Sequence, residues 1–166
     1  EPAPTVVVLQ GEIPLETNLA VARWAEEAGV RVVFNLAPAM TVPEEVLKIS
    51  NPLVVNEFEA GLVLGEAAPS TEEEAVGAAQ ALSGRAKSVI VTLGAADSVA
   101  AWGEGEEVAV IPPSPVELVA DTTGAGDAFV GVLAAELAGG QDLLGAARAA
   151  SAAAALTVTE AGASTS

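Results

Sequence analysis

Four short runs of this chain are nearly unbroken in β-branched and other apolar residues: Thr5-Val6-Val7-Val8-Leu9-Gln10, Val30-Arg31-Val32-Val33-Phe34-Asn35, Leu53-Val54-Val55-Asn56 and Ser88-Val89-Ile90-Val91-Thr92-Leu93-Gly94. A strand with one wet face alternates apolar and polar positions, so a run without alternation belongs to a strand covered on both faces, the habit of parallel sheets. Between the runs lie helical segments. Residues 15–28 follow Pro14, place Leu19, Ala20, Ala22 and Trp24 at helical intervals, and stop at Gly29; a short helix is expected at 43–49 and another at 57–64, ending at Gly65. Strand and helix in alternation predict an α/β protein: a doubly wound, mostly parallel sheet with flanking helices.

Ser70-Thr71-Glu72-Glu73-Glu74 reads as a capping box from Thr71 to Glu74, with acids in the first turn of a helix reaching about Leu82. A solvated helix start accounts for these carboxylates without a function. Residues 98–102 and 107–111 read as a hairpin around Gly103-Glu104-Gly105, and Pro112, Pro113 and Pro115 stop the sheet. An Ala-rich helix is expected at 142–159. No repeat, low-complexity tract or linker divides the 166 residues, so a single α/β domain over 1–166 is expected.

Six Lys and Arg stand against 23 Asp and Glu, a net charge of −17. That balance argues against nucleic acid or an anionic membrane as a partner. There is no cysteine and no histidine, which excludes thiolate, Ser-His and His-metal chemistry and leaves carboxylates as the chief bases. No signal peptide is expected, and the Ala-rich stretch at 146–158 is short for a membrane span and contains Arg148, so the protein is expected in the cytoplasm.

The stretch with most chemistry in it is Asp121-Thr122-Thr123-Gly124-Ala125-Gly126-Asp127-Ala128-Phe129. Gly124 and Gly126 flank Ala125, and an apolar run at 128–137 follows before Gly139-Gly140, which predicts a tight turn opening into a helix. The first turn of a helix carries unpaired amides and partial positive charge, so small residues there let an anion approach closely. Asp127, in that first turn, would aim a carboxylate at whatever the amides hold. The same residues can also be a plain cap, with Asp121 or Thr123 satisfying the amides. Two familiar phosphate motifs are absent: there is no G-x-x-x-x-G-K-[ST], and the glycine after Gly124-x-Gly126 comes only at Gly131. The six cations, Arg23, Arg31, Lys48, Arg85, Lys87 and Arg148, lie outside the motifs. Phosphate charge would then be met by helix amides and a divalent metal, or by residues outside this chain.

Asp121-Thr122-Thr123-Gly124-Ala125-Gly126-Asp127 resembles the C-terminal signature of the ribokinase family of sugar kinases, also called the phosphofructokinase-B family. The resemblance implies that Asp127 is the base that deprotonates a sugar hydroxyl, and that the amides of Gly124, Ala125 and Gly126 form the anion hole for the transferred phosphoryl group. It implies ATP and Mg2+ as cofactors, and K+ as a further one.

Asn56-Glu57-Phe58-Glu59 stands where a strand hands over to a helix, and Asn as a cap with acids behind it is the plain account. It also resembles the family's Asn-x-x-Glu, which implies Asn56 near the nucleotide phosphates and Glu59 organising magnesium, often through water. Thr92-Leu93-Gly94 resembles the strand end that begins the nucleotide loop, making Thr92 and Gly94 candidate ATP contacts, with Ser151 on the last helix a further one. Here the chain departs from the family, with Asp97 where a glycine is usual. The end of the chain is either a frayed terminus or resembles the family's monovalent-cation loop. In the latter case Asp121, Thr123, Thr157, Glu160, Gly162 and Ser166 would supply oxygen ligands to potassium, mostly through carbonyls.

Near the start, Gln10-Gly11-Glu12-Ile13-Pro14-Leu15-Glu16 resembles the family stretch in which an acid touches a sugar hydroxyl, a place taken by Glu12. Asn35-Leu36-Ala37-Pro38-Ala39 resembles an Asn-Pro-Ala-Pro-Ala segment with Leu36 replacing a proline. Both favour ribose as the acceptor, giving D-ribose 5-phosphate, over the substrates of fructokinases, 2-keto-3-deoxygluconate kinases or adenosine kinases. The match corresponds to the C-terminal half of such an enzyme, so the chain is expected to be a fragment, inactive alone, of a full-length kinase compatible with a homodimer. Two other classes remain open: a nucleotide-binding module without catalysis, and a structural half whose exposed sheet edge pairs with another chain.

Overall fold

A computed structural model describes residues 3–94, 97–115 and 120–159. The elements run β1 (Val6–Gln10), α1 (Leu15–Ala28), β2 (Arg31–Asn35), α2 (Glu44–Ile49), β3 (Ser50–Asn56), α3 (Glu57–Leu64), α4 (Glu72–Ser83), β4 (Ser88–Thr92), β5 (Ser98–Trp102), β6 (Glu107–Ile111), α5 (Ala125–Ala138) and α6 (Leu143–Thr157). The six strands form one sheet in sequence order; β1 to β4 are parallel, and β5 and β6 join antiparallel through the expected hairpin. Helices flank both faces, as the apolar runs predicted.

The pleat divides the strand residues between two cores. Leu9, Val32, Phe34, Leu53, Val55, Val89 and Val91 pack with α1 to α4, whereas Val33, Val54, Ile90, Ala100 and Ile111 pack with α5 and α6. Adjacent residues therefore face opposite layers, and both are apolar because both layers are dry. Crossovers of one hand that step along a sheet in one direction leave their helices on one face. The other face is covered by chain that follows the sheet. That duty falls to α5 and α6, whose Ala134, Ala146, Ala147 and Ala150 are small enough for close helix contact.

Three expectations need correction. The first run was expected to be buried on both faces, yet β1 is the edge of the sheet and Val8 is 43% exposed. β3 begins at Ser50, three residues before the expected strand, because the register slips between Val32 and Phe34, where the step from Ser50 to Leu53 on β3 is absorbed. Asn51-Pro52 reads locally as a turn, and proline in a strand belongs at such an irregularity. The box at Thr71 closes only one way: Thr71 Oγ1 accepts from the Glu74 N–H at 3.2 Å, but the Glu74 carboxylate reaches past it to the N–H and hydroxyl of Ser70 at 2.7 and 2.8 Å. Among the described residues no helix is long and apolar enough to cross a membrane.

Candidate active site

The turn before α5 is left-handed at Gly124, with φ 82° and ψ −4°, a conformation that costs an L side chain about 1–2 kcal/mol. No side chain caps this helix. Asp121 Oδ1 is occupied one step earlier, accepting from the Thr123 N–H at 2.9 Å and the Thr123 hydroxyl at 2.7 Å. The capping account therefore fails for the helix itself, because the two residues that could cap it hold each other. Gly126 and Asp127 are exposed, and a Cβ built on Gly126 would meet nothing within 4 Å. The Ala125 N–H donates to the Thr122 carbonyl at 3.3 Å, so this expected anion-hole amide is engaged within the turn, while the Gly126 position borders open space beside the Asp127 carboxylate. Phe129 and Val130, a turn further on, are buried against the sheet and fix the helix there.

α3 starts in the opposite way. Asn56 Oδ1 accepts from the Glu59 N–H and Glu59 Oε2 accepts from the Asn56 N–H, both at 2.8 Å, a closed reciprocal box. Glu59 is only 4% exposed, and burial pushes its carboxyl above the usual glutamate range; the Asn56 N–H pulls the other way and the charge of Glu57 adds to the rise.

These two helix starts meet over the carboxyl ends of the strands. Asn35 from β2, Asn56 from β3 and Thr92 from β4 line one cleft together with Glu59, Gly126, Asp127 and Phe129. Its volume of about 130 Å³ suits a phosphate-sized group rather than a whole ligand of the usual size. A second and larger cleft, about 500 Å³, continues from it on the β1 side, lined by Val8, Gln10, Glu12, Asn35, Pro38 and Asp127 among others. Asp127 and Asn35 belong to both. The molecule thus has two adjoining hollows with one carboxylate at their boundary, the arrangement needed to move a group from an anion into a neighbouring acceptor.

A magnesium ion on nucleotide phosphates keeps most of its waters and takes few protein ligands. Glu59 fits that role, since the box uses only its Oε2 and the residue lines the phosphate-sized cleft. Among the described residues no group of three or more acids could hold a metal by itself. None of the six cations lines either cleft; Arg23 pairs with Glu45 and Arg85 with Glu44.

The remaining expected residues divide. Asp121 is brought to the end of α6, its N–H and that of Ala120 reaching the Val158 carbonyl at 3.3 and 2.7 Å, so the two segments expected to share a monovalent cation do meet. The Thr157 hydroxyl is turned back to Ala153, and Glu160, Gly162 and Ser166 lie outside the described residues. Gly94 is exposed with φ 55° near the end of β4, while Ser151, half-buried on α6, lines neither cleft. Val130 and Gly131 line the larger cleft without having been singled out in the sequence, where Gln10 and Asn35 stood out only as parts of a resemblance. Their one signal was position at strand ends or in the turn after Asp127.

An open α/β sheet with a glycine turn and a carboxylate at its strand ends is an architecture that phosphoryl-transfer proteins use. A family model described as pfkB family carbohydrate kinase matches residues 4–166, and the chain belongs to that family. A ribokinase of Schizosaccharomyces pombe is 35% identical over 164 residues, 97% of this chain and 51% of that protein. The solved structure of Arabidopsis thaliana ribokinase complexed with ribose and ATP superposes with a TM-score of 0.87 at 33% identity, covering 96% of this chain and 51% of that one. An adenosine kinase from Sinorhizobium meliloti shares the fold, with a TM-score of 0.80 at 22% identity. The chain spans about half the length of these relatives. The expectations of family and of a ribokinase-like α/β fold are borne out.

Proposed function

We propose that this chain supplies the nucleotide-binding and phosphoryl-transfer half of an ATP-dependent sugar kinase, acting in the cytoplasm on D-ribose to give D-ribose 5-phosphate. The observation that carries the reading is the uncapped start of α5, with Asp127 shared between a phosphate-sized cleft and a larger one. The choice of ribose is supported by the ribokinase relatives and by the Gln10 to Glu16 and Asn35 to Ala39 stretches.

In this reading the acceptor lies in the larger cleft, with Glu12 accepting a hydrogen bond from one of its hydroxyls. Asp127 takes the proton of the primary hydroxyl as that oxygen attacks the γ-phosphorus of ATP; the new P–O bond forms as the bond to the β-phosphate oxygen breaks, and ADP leaves. The amides of Gly124 and Gly126 face the charge on the transferring group, joined by that of Ala125 when it exchanges the Thr122 carbonyl for the phosphoryl oxygen. Asn56, Thr92 and Gly94 border the nucleotide. Glu59 would hold a magnesium ion, mostly through water, and that ion would supply charge neutralisation to the nucleotide phosphates. A potassium ion beside Asp121, Thr123, Thr157, Glu160, Gly162 and Ser166 would brace the turn from behind.

The test is phosphate transfer from ATP to ribose by the intact protein that carries this chain, followed by 31P NMR with fructose and adenosine as competing acceptors. A ribose 5-phosphate signal is expected. Transfer to another acceptor would overturn the choice of ribose, and transfer to none would overturn the kinase reading.

A further inference from the structure

Asn18, in the first turns of α1, is fully buried. Its Nδ2 donates to the carbonyl of Gln10 at 2.9 Å, at the carboxyl end of β1. Its Oδ1 is buried with no partner among the described residues. A buried amide oxygen left unpaired destabilises a fold, and leucine of similar shape would fill the site without that loss. Packing therefore does not explain the asparagine; its single bond is the feature left to explain.

That bond ends on a hub. The Gln10 side chain accepts from the backbone N–H of Glu12 through Oε1, and its Nε2 lies 3.5 Å from Glu12 Oε2. Between them Gly11 donates to the Ala37 carbonyl at 2.9 Å, and a Cβ there would sit 2.5 Å from the Pro38 carbonyl oxygen. Gln10, Glu12, Ala37 and Pro38 all line the larger cleft with Asp127. Among the described residues, the Asn18 side-chain bond ties this corner to the helix behind it.

We propose that Asn18 is a positioning residue for the acceptor: it anchors the Gln10 carbonyl so that Gln10 and Glu12 present their polar groups at a set height beside Asp127. The assignment rests on reading the larger cleft as the acceptor site. A residue one bond removed from the ligand acts through geometry, and small misplacements of binding groups weaken acceptor binding more than nucleotide binding.

The experiment compares Asn18→Leu and Asn18→Ala with wild type in the intact protein. The KM for the sugar is expected to rise on the order of tenfold with the KM for ATP unchanged. Asn18→Leu removes the unpaired Oδ1 together with the donor to the Gln10 carbonyl, so its melting temperature should stay near that of wild type, and Asn18→Ala, which adds no volume, secures a folded variant if leucine is too wide at its branch. Hydrogen exchange at residues 10–12 should quicken in both variants without change in α4. Unchanged exchange there, or an active variant with the sugar KM of wild type, would overturn this assignment alone. A wild type that phosphorylates no sugar would remove the functional reading and this assignment together.

Discussion

The starts of α3 and α5 border the same cleft and are built to opposite rules. α3 closes its first turn on itself, with Asn56 and Glu59 exchanging hydrogen bonds at 2.8 Å and Glu59 buried. α5 begins at a left-handed glycine with no side-chain cap, and Gly126 and Asp127 are exposed. A capped helix spends its amides on stability; an uncapped one keeps them for a ligand. The cleft joins a wall capped by its own side chains, which carries Glu59, to a wall without a side-chain cap, where the Thr122 carbonyl holds the Ala125 N–H and Gly126 is left open.

The sharpest way to break the contrast is Asp127→Asn, which keeps the bare turn and removes the base. Turnover should fall by roughly 10²–10⁴ or more while the dissociation constant of ATP, measured by calorimetry, stays nearly the same. Retained turnover would take the base assignment away. Gly124→Val attacks the turn itself. Forcing a β-branched residue toward φ 82° should cost about 1–2 kcal/mol in urea unfolding and, by moving the amides, lower kcat about a hundredfold.

Glu59→Gln tests the closed wall, since a glutamine oxygen can still accept from the Asn56 N–H. The magnesium needed for half-maximal rate should rise about tenfold to a hundredfold. Its effect on folding depends on pH, with a sign set by the raised carboxyl. A raised folded-state value means that the native protein holds the proton more tightly than the unfolded chain does. The stability it adds is full below the ordinary glutamate range and is lost as pH rises through the folded value. The variant lacks that loss, so its melting temperature should match or exceed wild type at neutral pH and lose the advantage on acidification. A constant difference across the range would contradict the burial account. The smallest effect belongs to a cap remote from the cleft. Thr71→Ala should cost about 1 kcal/mol of stability and leave every kinetic constant in place.

Much of this contrast is legible from residue order. Gly124 and Gly126 around Ala125 foretell a turn few side chains could make, and Asn56 with Glu59 three residues later is the pattern of a reciprocal cap. What order could not tell is which of the polar residues near Gly124 would cap the helix. Asp121 and Thr123 were both eligible, and only the fold binds them to each other. Asn18 escaped notice for a related reason: a buried amide on an otherwise apolar helix face has no local signature, since its partner lies eight residues back on another element.

Residue order by itself determined the layered sheet, the two helix starts and the family, because these rest on short-range rules: strand runs that are apolar at every position, caps, and a glycine turn of fixed spacing. Tertiary structure decided that the strands line up in sequence order, that β1 lies at the sheet's edge, and that α5 crosses back over the strand ends so that Asp127 stands between two clefts. The reason is physical. Which face a helix covers is settled by the competition of all buried surfaces at once, a quantity no local window contains.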